Sequence, residues 1–311
     1  MKKTIASLSV VAVAGMMSAT AQAADTLNIV SWGGAYTESQ NKAYHEPWSK
    51  MSGDTIVNVD KAQAGLAGLR AQVQAGNVTW DLVDMLPSEA QIACDEGLVD
   101  VIDHDTILAA APDGTPASKD FIAGSLGECF VSQIVYSNIV AFNTEMFSGK
   151  MPSTMADVFD LKNFPGKRSL QKKPVNNLEW ALMADGVAAD KVYETLGTEA
   201  GVKRAFAKLD TIKDHVIWWE EGAQPPQLLA DKEVAFASGY NGRIFNAQVN
   251  ENQPFQIIWD AQVFELDGWV VPKGKLDKVK GYLKFATDTQ RLADQAKYIS
   301  YGPARASSAA K

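Results

Sequence analysis

Three short stretches carry residues whose types and spacing suit ligand chemistry. The first is Ser31-Trp32-Gly33-Gly34-Ala35-Tyr36, which follows the apolar run Leu27 to Val30 and opens a helix. Open α/β sheets bind ligands at such strand ends, and the glycines allow close backbone approach. The other use of the same residues is a core-capping Trp32 beside a simple glycine turn. Tyr240-Asn241-Gly242-Arg243 repeats the order of strand, aromatic, glycine and helix start. Arg243 near a helix N-terminus offers an anion a fixed guanidinium and free backbone N–H groups; on an open surface it would have no such role. The third is Asp267 in FELDGWVVP, ahead of the apolar strand Trp269 to Val271. It is either a turn-maker or the counter-ion of a bound ammonium, the second being favoured.

The motifs of catalysis do not occur. There is no G-x-S-x-G elbow, H-E-x-x-H, P-loop or dinucleotide fingerprint. His45, His104 and His215 are scattered without metal-ligand spacing, and the doublet Glu220-Glu221 after a strand reads as a solvated edge. Binding rather than catalysis is expected, with no cofactor and no metal; a secreted hydrolase is the alternative of another class.

The elements that must position these residues alternate. A strand at Leu27 to Val30, a helix over Glu38 to Met51, a strand at Thr55 to Val59, a helix over Leu66 to Ala75, a strand at Trp80 to Met85 and a short helix Pro87 to Asp95 make a βαβαβα series. That is the signature of a parallel sheet covered by helices. The run CFVSQIVYSNIVAF from Cys129 to Phe142 is too long for one ordinary buried strand and is expected to cross between two sheets. A second α/β set follows. It has helices near Met155 to Asp160, Asn177 to Asp185, Asp190 to Leu196 and Glu199 to Leu209, then strands at His215 to Trp219 and Val234 to Tyr240. A helix from Arg243 to Asn250 and strands at Gln256 to Trp259 and Gly268 to Val271 come next, before two closing helices at Leu276 to Ala286 and Thr289 to Ile299. Two compact α/β lobes with a cleft between them are the expected result.

Length and charge bound the rest. The chain has 311 residues, 46% of them hydrophobic, enough for two moderate cores, and disordered or fibrous classes are excluded. Its formal charge of −8 argues against nucleic-acid binding and favours cationic or mixed-charge ligands. Lys2 and Lys3, the apolar run Ile5 to Met17 and Ala21-Gln22-Ala23 form a cleavable secretory signal over 1–23. Cleavage after Ala23 removes two Lys and no acid, taking the charge to −10. No later run is long and apolar enough for a membrane helix, and the periplasm is the expected compartment. There Cys94 and Cys129 are expected to pair, closing a loop worth about 3–4 kcal/mol on the chain-entropy estimate.

The segments NIVSWGGAYT, WDLVDMLPSEAQIACDEGLVDVID, AFNTEMF, GYNGR, ELDGWVVPKG and YGPAR, in this order from about Leu27 to Ala304, resemble the periplasmic solute-binding proteins of ABC transporters, in the spermidine/putrescine-binding branch. The resemblance implies an α/β fold of two lobes joined by a hinge, with a small-molecule ligand enclosed between them. An inner-membrane ABC permease is the implied partner, the binding protein itself being a monomer. The lobes are expected over 24–136, with 261–311 returning to the first, and 137–260. Trp32 and Tyr240 then match the family's cleft aromatics and Asp267 the carboxylate that receives an amine, with Gly33 and Tyr36 beside them. Trp218-Trp219-Glu220 adds a tandem aromatic at a strand end; core packing accounts for at least one of the pair, and Trp219 is the candidate wall. Tyr301 sits where the last segments of family members return to the hinge. Relatives carry more helices beyond this point, so the chain, ending at Ala310-Lys311, is either a fragment or has a short tail.

Two departures from the polyamine pattern bear on the ligand. The stretch Gln171-Lys172-Lys173-Pro174-Val175-Asn176-Asn177 has no acid where polyamine binders hold the far amine, and Arg243 replaces a small polar residue. A guanidinium repels a second ammonium by about 1 kcal/mol even when screened. The expected solute is therefore a zwitterionic ω-amino acid such as 4-aminobutyrate, with Asp267 on the ammonium and Arg243 on the carboxylate. A polyamine is the alternative.

Overall fold

The computed structural model describes residues 24–311; the expected signal peptide at 1–23 lies outside them. Among the described residues no helix is long and apolar enough to cross a membrane.

Ten strands form one continuous twisted sheet: β1 (Thr26–Ser31), β2 (Thr55–Asp60), β3 (Leu82–Met85), β4 (Leu126–Gly127), β5 (Phe130–Asn143), β6 (Arg168–Gln171), β7 (Val216–Trp219), β8 (Phe236–Tyr240), β9 (Phe255–Val270) and β10 (Gly302–Pro303). Their order is β2-β1-β3-β9-β5-β8-β6-β7, with β4 and β10 attached to β5. At one end β1 lies parallel to β2 and β3; at the other β6 lies parallel to β7 and β8. Each parallel set is the product of strand–helix–strand crossovers, as the alternating sequence pattern requires.

The two sets are joined by the antiparallel pair β5 and β9, in register from Val131 opposite Trp269 to Asn143 opposite Phe255, with irregularities at Ser132/Ile134 and Asn138/Val140. The long Cys129 to Phe142 run joins the two parallel sets, but the expected crossing between two sheets is corrected: it forms one 14-residue strand within a single sheet. The expectation of two separate strands at Gln256 to Trp259 and Gly268 to Val271 is corrected to the single 16-residue β9. Its middle alternates charged and apolar residues that are only partly buried, so no apolar run announces it. β6 carried no strand signal either. Arg168, fully buried, is accommodated by donating to the carbonyls of Val158, Gly166 and Phe164 and by lying over the Phe236 ring at 4.8 Å.

Apolar side chains divide in the same way. Leu27, Ile29, Leu82, Val131, Trp269 and Leu283 belong to one core, and Val140, Phe142, Leu170, Trp180, Phe236 and Ile258 to another. The Cys94–Cys129 disulfide is formed, with the Cα atoms 5.8 Å apart, and ties the helix Pro87–Asp95 to the start of β5.

The first helix begins earlier than its apolar spacing suggests. It runs through Gly34–Gln40, a π-turn Asn41–His45 and Glu46–Ser52. Gly33 and Gly34 have φ of +73° and +58°, a conformation that only glycine adopts cheaply, and a Cβ on Gly34 would come within 2.9 Å of Arg243 Nη1. These two residues set Trp32 and Tyr36 on either side of the turn from strand to helix.

Candidate functional site

β1 delivers Trp32 just past its end and Tyr36 on the first turn of the helix it leads into. β8 does the same with Tyr240 and, in the first turn of the helix Asn241–Asn250, Arg243. β9 supplies Asp267, and β5 supplies Ile134 and Tyr136. β10 pairs with β5 at Ile134 and Val135, which brings the neighbouring Tyr301 back to the middle of the molecule. A Cβ on Gly242 would come 2.5 Å from the Tyr301 ring, so glycine there makes room for it.

These side chains line one cavity. Trp32, Tyr36, Tyr240, Arg243, Asp267 and Tyr301 all reach it. Tyr136 stands edge-on to Tyr240 at 5.4 Å, and Tyr301 packs between Tyr136 at 5.8 Å and Tyr36 at 6.1 Å. The result is an aromatic enclosure able to exclude water from methylenes and to face an ammonium with π-density.

Asp267 is buried inside this enclosure. It accepts from the Trp32 indole N–H at 3.0 Å and from the Tyr36 hydroxyl at 2.7 Å, and no ion pair among the described residues includes it. Burial raises its pKa to about 7, opposed by the Tyr36 and Trp32 hydrogen bonds and reinforced by the nearby Glu265 carboxylate. Glu265 itself accepts from Tyr136 at 2.7 Å and Asn138 at 3.2 Å. Behind the wall, Asp84 accepts from Gln40 at 3.0 Å and Gln133 at 2.5 Å, and its carboxyl is held well above the ordinary range by burial and by Asp267. Burial also raises the Tyr240 hydroxyl to about 12 and the Tyr36 and Tyr301 hydroxyls well up, so these groups stay neutral donors.

Arg243 has the opposite deficiency. Its Nη2 donates to the carbonyls of Trp32 at 3.3 Å and Gly33 at 3.1 Å, and its buried Nε has no partner. No ion pair among the described residues includes it. One cavity therefore holds a buried carboxyl without a cation and a buried guanidinium without an anion, each costly until paired.

Two expected residues stand outside the lining. Gly33 takes part through its carbonyl and its backbone angle. Trp219 is buried behind Tyr240, edge-on at 5.7 Å, with its indole N–H donated to Ser238 at 2.9 Å. Leu86, Ile134, Tyr136, Gln171, Lys173, Glu220 and Gly222 line the cavity without having been singled out for it. Tyr136 had one signal, an aromatic amid β-branched residues, but the face it occupies depends on the irregular β5–β9 register. Glu220 is at once a solvated edge, paired with Lys172 at 3.0 Å, and part of the cavity rim. No serine, cysteine or histidine lines the cavity, and no group of three His, Cys, Asp or Glu among the described residues is placed to hold a metal ion.

Comparison with known proteins agrees with this architecture. The chain is 37% identical over 289 residues to the Gamma-aminobutyric acid-binding protein of Pseudomonas aeruginosa, covering 92% of this chain and 79% of that one. The binding protein MotA of A. tumefaciens B6, solved with glucopine, superposes with a TM-score of 0.82 at 32% identity, covering 92% and 87% of the two chains. A solved GABA receptor gives a TM-score of 0.76 at 32% identity, covering 91% and 84%. The two solved proteins share the mixed α/β fold of this chain. Residues 35–311 match the family described as bacterial extracellular solute-binding protein, and the chain belongs to that family.

Proposed function

We propose that this chain is the solute-binding subunit of an ABC importer for a small zwitterion, an ω-amino acid such as 4-aminobutyrate. The observation that carries the proposal is the pair of unmatched buried charges, Asp267 and Arg243, lining one cavity. A ligand with an ammonium at one end and a carboxylate at the other satisfies both at once. Its methylenes lie between Trp32, Tyr36, Tyr136 and Tyr240, and Tyr301 supports them. Relatives described as binding or receiving GABA support the same chemistry.

A diamine satisfies Asp267 but leaves Arg243 without an anion and sets a second ammonium in a cavity that Lys173 also lines. The family relationship supports a binding role rather than an enzymatic one. In this reading the lobes comprise 24–136 with 261–311, and 137–260, hinged where β5 and β9 cross between the two cores. Closure around the ligand makes the surface that a membrane permease accepts. The signal at 1–23 directs the monomeric mature protein to the periplasm.

Titration calorimetry with 4-aminobutyrate, putrescine and spermidine tests the assignment. Saturable one-to-one binding of 4-aminobutyrate, with the ligand recovered unchanged, is expected. Tight putrescine binding with no response to 4-aminobutyrate would overturn the role of Arg243 and favour the polyamine alternative.

A further inference from the structure

A second, larger groove shares one lining residue with the cavity, Arg243. We propose that this groove is the entry route, through which the solute passes with its ammonium end leading, and that Arg243 is the portal. The inference rests on the ω-amino acid reading of the inner cavity.

The charges are ordered along the route. Glu38, Asp231 and Glu251 line the groove, Arg243 stands at the junction, and Asp267 lines only the inner cavity. Glu38 is paired with Lys42 at 3.4 Å. Among the described residues Asp231 and Glu251 accept from neutral amides, Gln227 at 2.8 Å and Asn246 at 3.2 Å, and neither is in an ion pair. Arg243 is about nine-tenths buried, yet its Nε is unpartnered and its Nη2 rests on two carbonyls. Those carbonyls, of Trp32 and Gly33, belong to the β1 side of the cleft, whereas Arg243 belongs to the β8 side. Parting the two sides breaks these bonds and joins groove to cavity. A zwitterion entering ammonium first meets the three acids, then comes to rest with its carboxylate at Arg243 and its ammonium at Asp267. Entry in the other sense sets a carboxylate among three acids and an ammonium against the guanidinium.

Stopped-flow tryptophan fluorescence with 4-aminobutyrate tests the route, comparing the wild type with the triple variant Glu38→Gln, Asp231→Asn, Glu251→Gln. Because the groove is left behind in the bound state, association and dissociation should both slow, by about fivefold at low ionic strength, with Kd within twofold. The difference should vanish near 1 M salt, where screening acts within about 3 Å. Asp231→Asn alone, checked for an unchanged melting temperature, should give part of the effect. Unchanged association overturns the route; slower association with unchanged dissociation also overturns it, because the acids then act in the bound complex. Absence of any 4-aminobutyrate binding removes the ligand reading and the route together, whereas binding with unaltered rates removes the route alone.

Discussion

The Trp32 indole N–H donates to Asp267 Oδ1 at 3.0 Å, joining residues 235 positions apart into one unit at the centre of the cleft. Asp267 is no turn residue, since it sits within β9 opposite Ile134 of β5. Trp32 holds one of its oxygens and Tyr36 the other.

The Tyr36 hydroxyl is the shorter of these two bonds, at 2.7 Å. Tyr36→Phe keeps the ring and removes the donor. A hydrogen bond to a charged group is worth about 1.5–3 kcal/mol. Affinity for an ω-amino acid should therefore fall by roughly ten- to a hundredfold, read by calorimetry, with the ring packing against Tyr301 retained. Unchanged affinity would mean that Asp267 does not bind as the carboxylate.

Asp267 makes binding depend on pH. Its folded pKa is about 7 against an ordinary 3.8, so the stability linked to this group is fully present below 3.8 and is lost as pH rises through 7. Ammonium binding favours the ionised form. Affinity should thus climb by up to about tenfold per unit between pH 5 and 7 and level off above, with close to one proton released at the acid end. Calorimetry in buffers of different ionisation enthalpy reads that proton, and Asp267→Asn should abolish the dependence. His45 acts oppositely on stability: burial lowers its pKa from 6.5 to about 3, so its contribution is present above 6.5 and lost as pH falls toward 3. The two windows overlap with opposite sign, so denaturant melts of Asp267→Asn and of His45→Gln across pH, each against the wild type, separate the two slopes.

Arg243→Met tests the other end of the ligand. Truncating one partner of a buried charge pair costs about 2–5 kcal/mol. Affinity for 4-aminobutyrate should drop by more than about thirtyfold, while butylamine, which has no carboxylate, should bind no more weakly than to the wild type. Equal losses for both ligands would show that the substitution disturbs the cavity rather than removing an anion contact.

Removing the disulfide should lower stability with little effect on the ligand. Cys94 and Cys129 are 35 residues apart, for which the chain-entropy estimate is about 3–4 kcal/mol. The double Cys→Ala variant should show a lower denaturant midpoint and a near-normal Kd. A normal midpoint would mean that the reduced chain is already held by native-like structure.

The helix Pro87–Asp95, marked by the proline of its first turn, and the amphipathic Leu276–Ala286 lie where their sequence predicts them. β6 and the middle of β9 do not read as strands, because a buried Arg168 and a half-exposed charged stretch are stabilised by partners far away in the chain. The same limit applies at the site. Trp32, Tyr36, Tyr240 and Arg243 are legible because strand end, glycine and helix start are encoded within a few residues. Tyr136 and Lys173 are not, since each reaches the cavity only through the pairing of strands distant in sequence.

The sequence by itself determined the alternating α/β pattern, the family, and two strand-end motifs with an acid ahead of an apolar strand, all properties of residue type and short-range spacing. Tertiary structure alone decided that Asp267 and Arg243 share one cavity, that Trp219 backs Tyr240 instead of lining it, and that Asp267 titrates near neutrality. The physical reason is that burial and charge pairing are set by contacts between separate elements, some as far apart in the chain as Trp32 and Asp267, which no local pattern records.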